Sequence, residues 1–479
     1  MVIARKIAYN VAFSSFSKIL STILALVSIG LITRYLGQAG FGNYATVLAF
    51  LSFFTAIADL GLYSTVTREI SRPGADEEKI VGNIFTLRMI ISLVVLILSP
   101  VVVFFFPYPT EVKEAIIIVA LSFLFSSSYQ VLNGIFQKNL AMDRVAVAEL
   151  LGKIVQVLFI FFAIKFKLNF LWIISSLLLN MALSFFLVYF WSKKYISFSF
   201  KFDIVYWKKF VKESYPLGIA AIISFIYFKI DTILLSVLKT SAEVGIYNVA
   251  YKVIENISFF PAMIAGLVFP IMAKNIFSDK KSFQNISDKT FKVFWIFVIP
   301  LIIGTMFLSG GIVELIGGKG FFASSVVLRI LIFSLGCIFF GNFFNVILIS
   351  GNKQKKLMTI MAIAAIFNVS ANLIFIPRYS YLAAAIISTA TELFVTLAAF
   401  YVAVKDLGYF PKAEKFWAIL LSGAVMAVYF FIFSKMNFFL LAFSGTAVYI
   451  VFIWIFKVVK TQEITSIISK KETAQYELP

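Results

Sequence analysis

Apolar segments of 20 or more residues recur along the whole chain, separated by short connections of polar, charged or turn-forming residues. An α-helix needs about 20 such residues to cross the hydrocarbon core of a bilayer. A transmembrane β-barrel would instead alternate apolar and polar positions. The pattern therefore predicts an all-α polytopic membrane protein with about 14 transmembrane helices. The predicted spans are 8–32, 40–63, 80–104, 115–137, 145–164, 170–191, 213–238, 244–272, 291–308, 324–349, 358–375, 382–404, 416–434 and 438–456.

The positions of lysine and arginine support this order of spans. Segments on the side of the N-terminus hold 27 of the 42 basic residues, segments on the other side hold eight, and seven lie inside spans. Because cytoplasmic loops of membrane proteins carry the excess of basic residues, both termini are expected in the cytoplasm and the protein in the inner cell membrane. The net charge of +19 is then explained by topology and attraction to anionic lipid, with no nucleic-acid partner.

The longest internal connection is "SKKYISFSFKFDIVYWKKFVKES", residues 192–214, which contains six lysines. Asp203 is placed to cap a short amphipathic helix within it. The apolar face of that helix contains Ile204, Trp207, Phe210 and Val211. We predict that the helix lies on the inner leaflet and joins two halves of the protein.

The two halves share a short motif. "GFGNYATVLAF" opens the second span and "EVGIYNVAYKV" opens the eighth, so Gly-x-Tyr recurs at Gly42/Tyr44 and at Gly245/Tyr247. These matched positions predict two pseudo-symmetric six-helix repeats, spans 1–6 and 7–12, related by an axis along the membrane normal. The predicted domains are an N-lobe at 1–195, the basic linker at 196–214, a C-lobe at 215–405, and spans 13 and 14 with a cytoplasmic tail at 406–479.

The composition argues against an enzyme. The chain is 61% hydrophobic and has no histidine, which is the commonest metal ligand and general base. Its single cysteine, Cys337, cannot form an internal disulfide. No Gly-x-x-x-x-Gly-Lys-Ser/Thr phosphate loop occurs, and no outer loop carries a cluster of candidate catalytic residues. We therefore expect no catalytic residues, no metal and no cofactor other than a coupling proton or Na⁺.

Charged residues inside the spans are the candidate functional residues. Each costs roughly 2.5–3.5 kcal/mol at a helix centre, so they are expected to face the protein interior or water. The basic ones are Lys18, Arg88, Lys153, Lys229, Lys252, Lys292 and Arg329, and the acidic ones are Asp59, Glu149, Asp231, Glu255 and Glu392. Lys292 and Asp59 lie near span ends, where they could snorkel.

Some of these charges have a local partner and others do not. Glu149 and Lys153 are four residues apart, so a structural ion pair and a functional role both stay open. Lys252 and Glu255, three apart, could also pair. Lys229 and Asp231 are about 200° apart around a helix and cannot simply neutralise each other.

We therefore hypothesise an electropositive cavity near the midplane that binds a phosphate group, because cationic side chains in a low-dielectric cleft hold phosphate strongly. Its wall is predicted to contain Lys18, Arg88, Lys153, Lys229 and Lys252. The acidic residues Asp231, Glu255 and Glu149 are predicted to balance this field or to bind a coupling ion. The predicted hinges for alternating access are Pro216, Gly218 and Pro261, although plain helix kinks would also explain them.

Three stretches resemble the polysaccharide/O-antigen flippases of the multidrug/oligosaccharidyl-lipid/polysaccharide exporter superfamily. They are "LITRYLGQAGFGNYATVLAFLSFFTAIADLGL", "FKIDTILLSVLKTSAEVGIYNVAYKVIENISFFPAMIAGLVFPIMAK" and "NVSANLIFIPRYSYLAAAIISTATEL". The resemblance implies two six-helix lobes that form a V, plus two C-terminal helices. The positions that match the family pattern are Arg34, Asp59, Gly61, Asp231, Gly245, Tyr247 and Glu255. For Arg34, substrate binding, gating and structure all stay open.

The same resemblance implies a flippase that moves a polyprenyl-(pyro)phosphate-linked oligosaccharide between leaflets, with membrane lipids and other polysaccharide-assembly proteins as its surroundings. Two rivals come from the same superfamily. A multidrug cation exporter is expected to have an acidic cavity, whereas here seven basic residues exceed five acidic ones within spans. A peptidoglycan-precursor flippase is not separated from the leading hypothesis by cavity charge.

Overall fold

The computed structural model describes residues 2–59, 62–72 and 74–459, and within these residues every regular element is a helix. The α-helices are α1 (Val2–Asp59), α2 (Leu62–Ile70), α3 (Glu77–Phe104), α4 (Thr110–Lys138), α5 (Met142–Lys165), α6 (Phe170–Ser192), α7 (Ile204–Leu238), α8 (Ser241–Ile257), α9 (Phe259–Asn275), α10 (Lys280–Gly317), α11 (Ser324–Ser350), α12 (Gln354–Leu407), α13 (Phe416–Ile432) and α14 (Phe438–Ile455). A 3₁₀ helix, Lys319–Phe321, follows α10.

The predicted spans coincide with these helices. Within the described part of the chain, ten helical segments are long and apolar enough to cross a membrane, and α13 is a shorter apolar helix. Two of the long helices each contain two predicted spans joined by a kink, at Gly37 in α1 and at Ser380 in α12. The eighth predicted span is divided between α8 and α9.

The kink in α1 depends on glycine. Gly37 has φ +65° and ψ −169°, a conformation that side chains with a Cβ rarely adopt. The chain can therefore change direction at one residue, without a loop. Ser380 has φ 51° at the corresponding break in α12. Both connections are shorter than the loops expected between separate spans.

The basic linker is only partly a separate element. Asp203 caps α7 as predicted, because its side chain accepts a hydrogen bond of 2.9 Å from the backbone N–H of Tyr206. The helix that begins at Ile204 does not stop before span 7 but continues to Leu238. The predicted short amphipathic helix is therefore the first part of α7. The residues before Asp203 run along α3, where the N–H of Lys201 donates to Thr86 Oγ1 at 3.2 Å.

Packing divides the chain into two compact units. Unit 1 contains Met1–Val249, Glu314–Phe322 and Met361–Ile387. Unit 2 contains Ala250–Val313, Ala323–Ile360 and Ser388–Pro479. Each unit has an apolar core of its own: in unit 1 it lies between α3, α4, α5, α6 and the start of α7, and in unit 2 it lies between α10, α13 and α14. The predicted lobe and linker boundaries stay predictions.

Candidate functional site

Asp231 lies at the centre of a buried polar cluster in unit 1. Its side chain belongs to α7 and the residue is only 2% exposed. Tyr247 of α8 donates its hydroxyl hydrogen to Asp231 Oδ2 at 3.1 Å. Asn372 of α12 donates from Nδ2 to Asp231 Oδ1 at 2.8 Å. Three helices therefore converge on one carboxyl group.

The cluster extends beyond these two donors. Asn372 Nδ2 also donates to Asn368 Oδ1 at 2.9 Å, one turn earlier on α12. Thr232 Oγ1 donates to Asn248 Oδ1 at 3.2 Å beside them. All of these side chains are buried, and Asn372 Oδ1 accepts no hydrogen bond. A carboxylate with amide oxygens nearby can take up a proton or bind a cation that prefers oxygen ligands.

The sequence had indicated only part of this cluster. Asp231 was expected to need a partner because of the cost of a charge in the membrane, and Tyr247 matched the family pattern. Asn368 and Asn372 were not singled out, although both lie in "NVSANLIF". Their four-residue spacing places them on one face of an apolar helix, and this is the signal that could have found them.

The predicted cationic residues have different surroundings. Lys18 is exposed, while Lys153 and Lys229 are half-buried. Arg88 is fully buried on α3 and donates from Nη1 to Ser127 Oγ at 3.3 Å, with Gln130 Oε1 at 3.5 Å. Burial places Arg88 against α4 side chains. A common cavity for these residues stays a prediction.

The two local pairs behave differently. Lys252 and Glu255 form the ion pair that their spacing allowed, with 2.6 Å between Nζ and Oε2. Lys153 donates to Gln156 Oε1 at 2.9 Å, and Glu149 accepts from Tyr129 at 2.8 Å. The first of these two contacts joins two residues of α5, and the second joins α4 to α5.

Arg34 holds the end of another helix. Its Nη2 donates to the backbone oxygens of Glu314 at 3.0 Å and Leu315 at 2.7 Å, at the C-terminus of α10. Nη1 donates to Gly30 O at 2.9 Å. A cation at a helix C-terminus satisfies free carbonyl groups and the helix dipole. Of the roles left open for Arg34, these contacts favour structure or gating over substrate binding.

The repeated Gly-x-Tyr motifs meet in space. A Cβ at Gly42 would overlap the backbone oxygen of Ser241 and lie 3.0 Å from Gly245 N. A Cβ at Gly245 would overlap the backbone oxygen of Gln38. The second half of α1 and the start of α8 therefore approach each other through two glycines, as membrane helices do at small residues.

The predicted hinges lie in or next to helices. Pro216 and Gly218 are within α7, which continues through both positions. Pro261 is in the first turn of α9, directly after the break at Ser258. Proline is tolerated there because the first turn has no intrahelical acceptors for its N–H groups. Asp59 is the last residue of α1, and Gly61 lies outside the described residues.

A second buried carboxyl group has a different environment, in unit 2. Asp288 of α10 accepts hydrogen bonds at Oδ1 from Tyr409 Oη at 3.1 Å and from the N–H of Lys412 at 3.0 Å. These contacts attach the connection between α12 and α13 to α10. Burial, with the nearby Asp288 charge as the second cause, raises the pKa of Tyr409 well above its usual range. The hydroxyl therefore stays a donor, and the contact is structural.

Residues 7–276 match the model of the family described as polysaccharide biosynthesis protein, which is more than half of the chain. The chain belongs to this family. The matched region contains Asp231 and Tyr247 but ends before Asn368 and Asn372.

Similar proteins and structural neighbours agree with this assignment. The capsular polysaccharide biosynthesis protein CapF of Staphylococcus aureus is 25% identical over 316 residues, covering 65% of this chain and 80% of CapF. A putative O-antigen transporter of Shigella flexneri is 22% identical, covering 70% and 81%. The fold is similar to that of the lipid II flippase MurJ in an inward closed conformation, with a TM-score of 0.72, 19% identity, and coverage of 94% of this chain and 99% of MurJ.

These findings confirm three predictions from the sequence. The protein is an all-helical, multi-pass membrane protein. It belongs to the polysaccharide biosynthesis family, in agreement with the resemblance to the polysaccharide/O-antigen flippases seen in the sequence. The Shigella flexneri relative is named a putative O-antigen transporter and the structural neighbour MurJ a flippase, in agreement with the prediction that the chain is a transport protein and not an enzyme.

Proposed function

We propose that this protein moves a polyprenyl-(pyro)phosphate-linked oligosaccharide from the inner to the outer leaflet of the cytoplasmic membrane by alternating access, for cell-surface polysaccharide assembly. The observation that carries the proposal is the family match over residues 7–276. Relatives named for capsular polysaccharide and O-antigen support a lipid-linked saccharide as the substrate class. The excess of lysine and arginine on the N-terminal side supports cytoplasmic termini.

The substrate contacts are assigned to basic residues. The phosphate linkage of such a lipid is anionic and must pass through the low-dielectric membrane, where it requires positive partners. Lys18 and Lys229, which are exposed and half-buried inside predicted spans, are the residues that we assign to it first. Lys252 can contribute only together with its partner Glu255, since the two form an ion pair.

The driving ion is assigned to the Asp231 cluster. Its donors Tyr247 and Asn372 are neutral, and the free Oδ1 of Asn372 lies next to the carboxyl group. A proton or Na⁺ bound at Asp231 would neutralise the buried carboxylate. Ion binding would therefore favour a conformation in which the cluster is shielded from water. We propose that this step couples an ion gradient to translocation.

Reconstituted liposomes test the function directly. Purified protein is given a fluorescent polyprenyl-pyrophosphate oligosaccharide, lipid II or an organic cation, each under imposed proton and Na⁺ gradients. We expect the oligosaccharide lipid to be translocated and the organic cation to be excluded. Translocation of lipid II alone would support the peptidoglycan-precursor rival, and cation extrusion without lipid movement would support the multidrug exporter.

Matched lysine variants test the substrate contacts in the same assay. Lys18→Gln and Lys229→Gln are each expected to reduce the translocation rate at least about tenfold, as loss of a charged contact does. Lys319→Gln, at an exposed position of the 3₁₀ helix after α10, is the control and is expected to leave the rate unchanged. Wild-type rates in both test variants would contradict the assignment.

A further inference from the structure

The first three turns of α7 present a face that has not been assigned to translocation. Six residues line a shallow groove of about 490 Å³ on this face: Ile204, Trp207, Lys208, Val211, Lys212 and Tyr215. Their spacing of three and four residues places them along one side of a single helix. Lys208, Lys212 and Tyr215 are exposed.

Hydrogen bonds to α3 hold this end of α7 in place. Trp207 Nε1 donates to the backbone oxygen of Asn83 at 3.1 Å. Asn83 Oδ1 accepts from the N–H of Asp203 at 3.0 Å. Phe210, which the sequence places on the same apolar face, is only 3% exposed and packs in the core of unit 1 and not in the groove. The groove is therefore a fixed surface of unit 1.

The groove combines two lysines with apolar and aromatic side chains. Lys208 and Lys212 are four residues apart, so both ammonium groups can reach one anion. The carboxylate of Asp203 lies 3.7 Å from Lys79 Nζ, and its charge is balanced there. The ligand that fits is an anionic group attached to an apolar body. None of the six lining side chains is an amide or a carboxylate of the kind that binds sugar hydroxyls.

The length of α7 places this groove at the depth of lipid headgroups. The helix has 35 residues and is about 52 Å long at 1.5 Å per residue, whereas the hydrocarbon core is about 30 Å thick. Counting about 20 residues back from Leu238 reaches the start of the apolar part, beyond Tyr215. Lys208 and Lys212 then lie on the lysine-rich side, next to the phosphate layer.

We propose that this face of α7 is a binding site for an anionic phospholipid of the inner leaflet. The phosphate lies between Lys208 and Lys212, and the acyl chains run past Val211 and Tyr215 toward the hydrocarbon core. The site is occupied by bilayer lipid and not by the transported saccharide lipid. Because α7 also carries Lys229 and Asp231, this lipid fixes the inner end of a helix on which transport is proposed to depend.

Lipid binding to the purified full-length protein tests the proposal. Native mass spectrometry in detergent counts bound phosphatidylglycerol and, as the neutral comparison, phosphatidylcholine. We expect wild type to retain phosphatidylglycerol preferentially and the Lys208→Gln/Lys212→Gln variant to bind it about tenfold to thirtyfold more weakly, because each lysine contributes to attraction by anionic lipid. The control variant, Lys194→Gln/Lys209→Gln, loses the same charge from two exposed lysines outside the groove and is expected to bind like wild type.

Three results would overturn the proposal. Equal losses in the two double variants would mean that net charge alone attracts the lipid. Unchanged binding in the Lys208→Gln/Lys212→Gln variant, with its melting temperature in phosphatidylcholine also unchanged, would mean that the phosphate lies elsewhere. Displacement of phosphatidylglycerol by an equal amount of a polyprenyl-pyrophosphate oligosaccharide would make the groove a substrate site.

Discussion

Asp231 is a carboxyl group that the protein buries against neutral donors. Tyr247 and Asn372 supply one hydrogen bond each, and neither brings a positive charge. A permanent lysine partner would neutralise the carboxylate in every conformation. Neutral donors leave that task to a proton or a cation, which can arrive and leave. At the scale of a single residue, neutral donors together with the Asn372 Oδ1 that accepts no hydrogen bond suit Asp231 to the proposed ion coupling.

Replacing Asp231 with asparagine tests this role. Asp231→Asn keeps the size of the side chain and an oxygen for the Tyr247 hydroxyl, so the protein is expected to insert and fold. The stimulation of lipid translocation by an ion gradient is expected to fall at least about tenfold, because the neutral amide no longer gains or loses a charge. Flux into liposomes is compared with and without the gradient.

Asp288→Asn is the control for that measurement. Asp288 is equally a buried carboxyl group, but it accepts from Tyr409 and from the backbone of Lys412 at the connection between α12 and α13. Its replacement is expected to lower the melting temperature and to preserve the response to the gradient. If Asp231→Asn kept the full response, Asp231 would be a structural residue like Asp288.

The chemistry of Asp231 could be foreseen from the sequence, but its partners could not. The cost of a charge in an apolar helix indicates that a partner exists. It does not indicate which one, since Tyr247 is 16 residues away and Asn372 is 141 residues away. Arg88 is a similar case, because its full burial against Ser127 depends on how α3 packs on α4.

At the scale of helices, α1 and α8 approach closely because Gly42 and Gly245 have no side chains at their contact. A methyl group at Gly42 would overlap the backbone oxygen of Ser241, and backbone cannot move aside as a flexible side chain can. Gly42→Ala is therefore expected to destabilise the protein by about 1–3 kcal/mol, the usual cost of overpacking. Thermal unfolding in detergent measures the effect.

Gly266→Ala is the matched control. Gly266 lies in α9, and a Cβ there would meet nothing within 4 Å. Alanine is the better helix former, so this substitution is expected to leave the melting temperature unchanged or to raise it. Equal effects of the two substitutions would show that α1 and α8 tolerate a wider separation.

Arg34 makes a second contact between elements that can be tested. It caps the free carbonyl groups of α10 with hydrogen bonds to Glu314 O and Leu315 O. Because Arg34 is exposed, Arg34→Gln is expected to cost only about 1 kcal/mol, and Arg34→Lys should restore part of this. Lys319→Gln removes a nearby exposed charge that is not assigned to capping α10. This substitution is expected to leave the free energy of unfolding unchanged in the same experiment. An equal loss in both would indicate a general charge effect.

The number and order of helices could be predicted from hydropathy, but several boundaries between them could not. Each span requires about 20 apolar residues, which is a strong and local signal. The breaks in α1 and α12 each occupy one residue with positive φ, at Gly37 and Ser380, so no polar loop marks them. The opposite occurs in α7, where six lysines at 192–214 predict a separate element but the helix runs without interruption from Ile204 to Leu238.

For the whole molecule, hydropathy contains no information on which helices pack together. Unit 1 also includes Glu314–Phe322 and Met361–Ile387, which are separated in sequence from its first 249 residues. This grouping brings Asn372 to Asp231 and the end of α10 to Arg34. The site therefore depends on contacts distant in sequence, which explains why its residues could be predicted one by one but not as a cluster.

The orientation of the chain in the membrane is predicted from its lysines and arginines, and its one cysteine makes this prediction testable. In a Cys337→Ser background, Ser278→Cys places a thiol in the exposed connection between α9 and α10, and Lys319→Cys places one in the exposed connection between α10 and α11. With both termini in the cytoplasm, a membrane-impermeant maleimide applied to spheroplasts should label the Lys319→Cys variant at once. The Ser278→Cys variant should react only after the membrane is opened. The reverse order of labelling would place the lysine-rich segments, and the proposed lipid site on α7, at the outer leaflet.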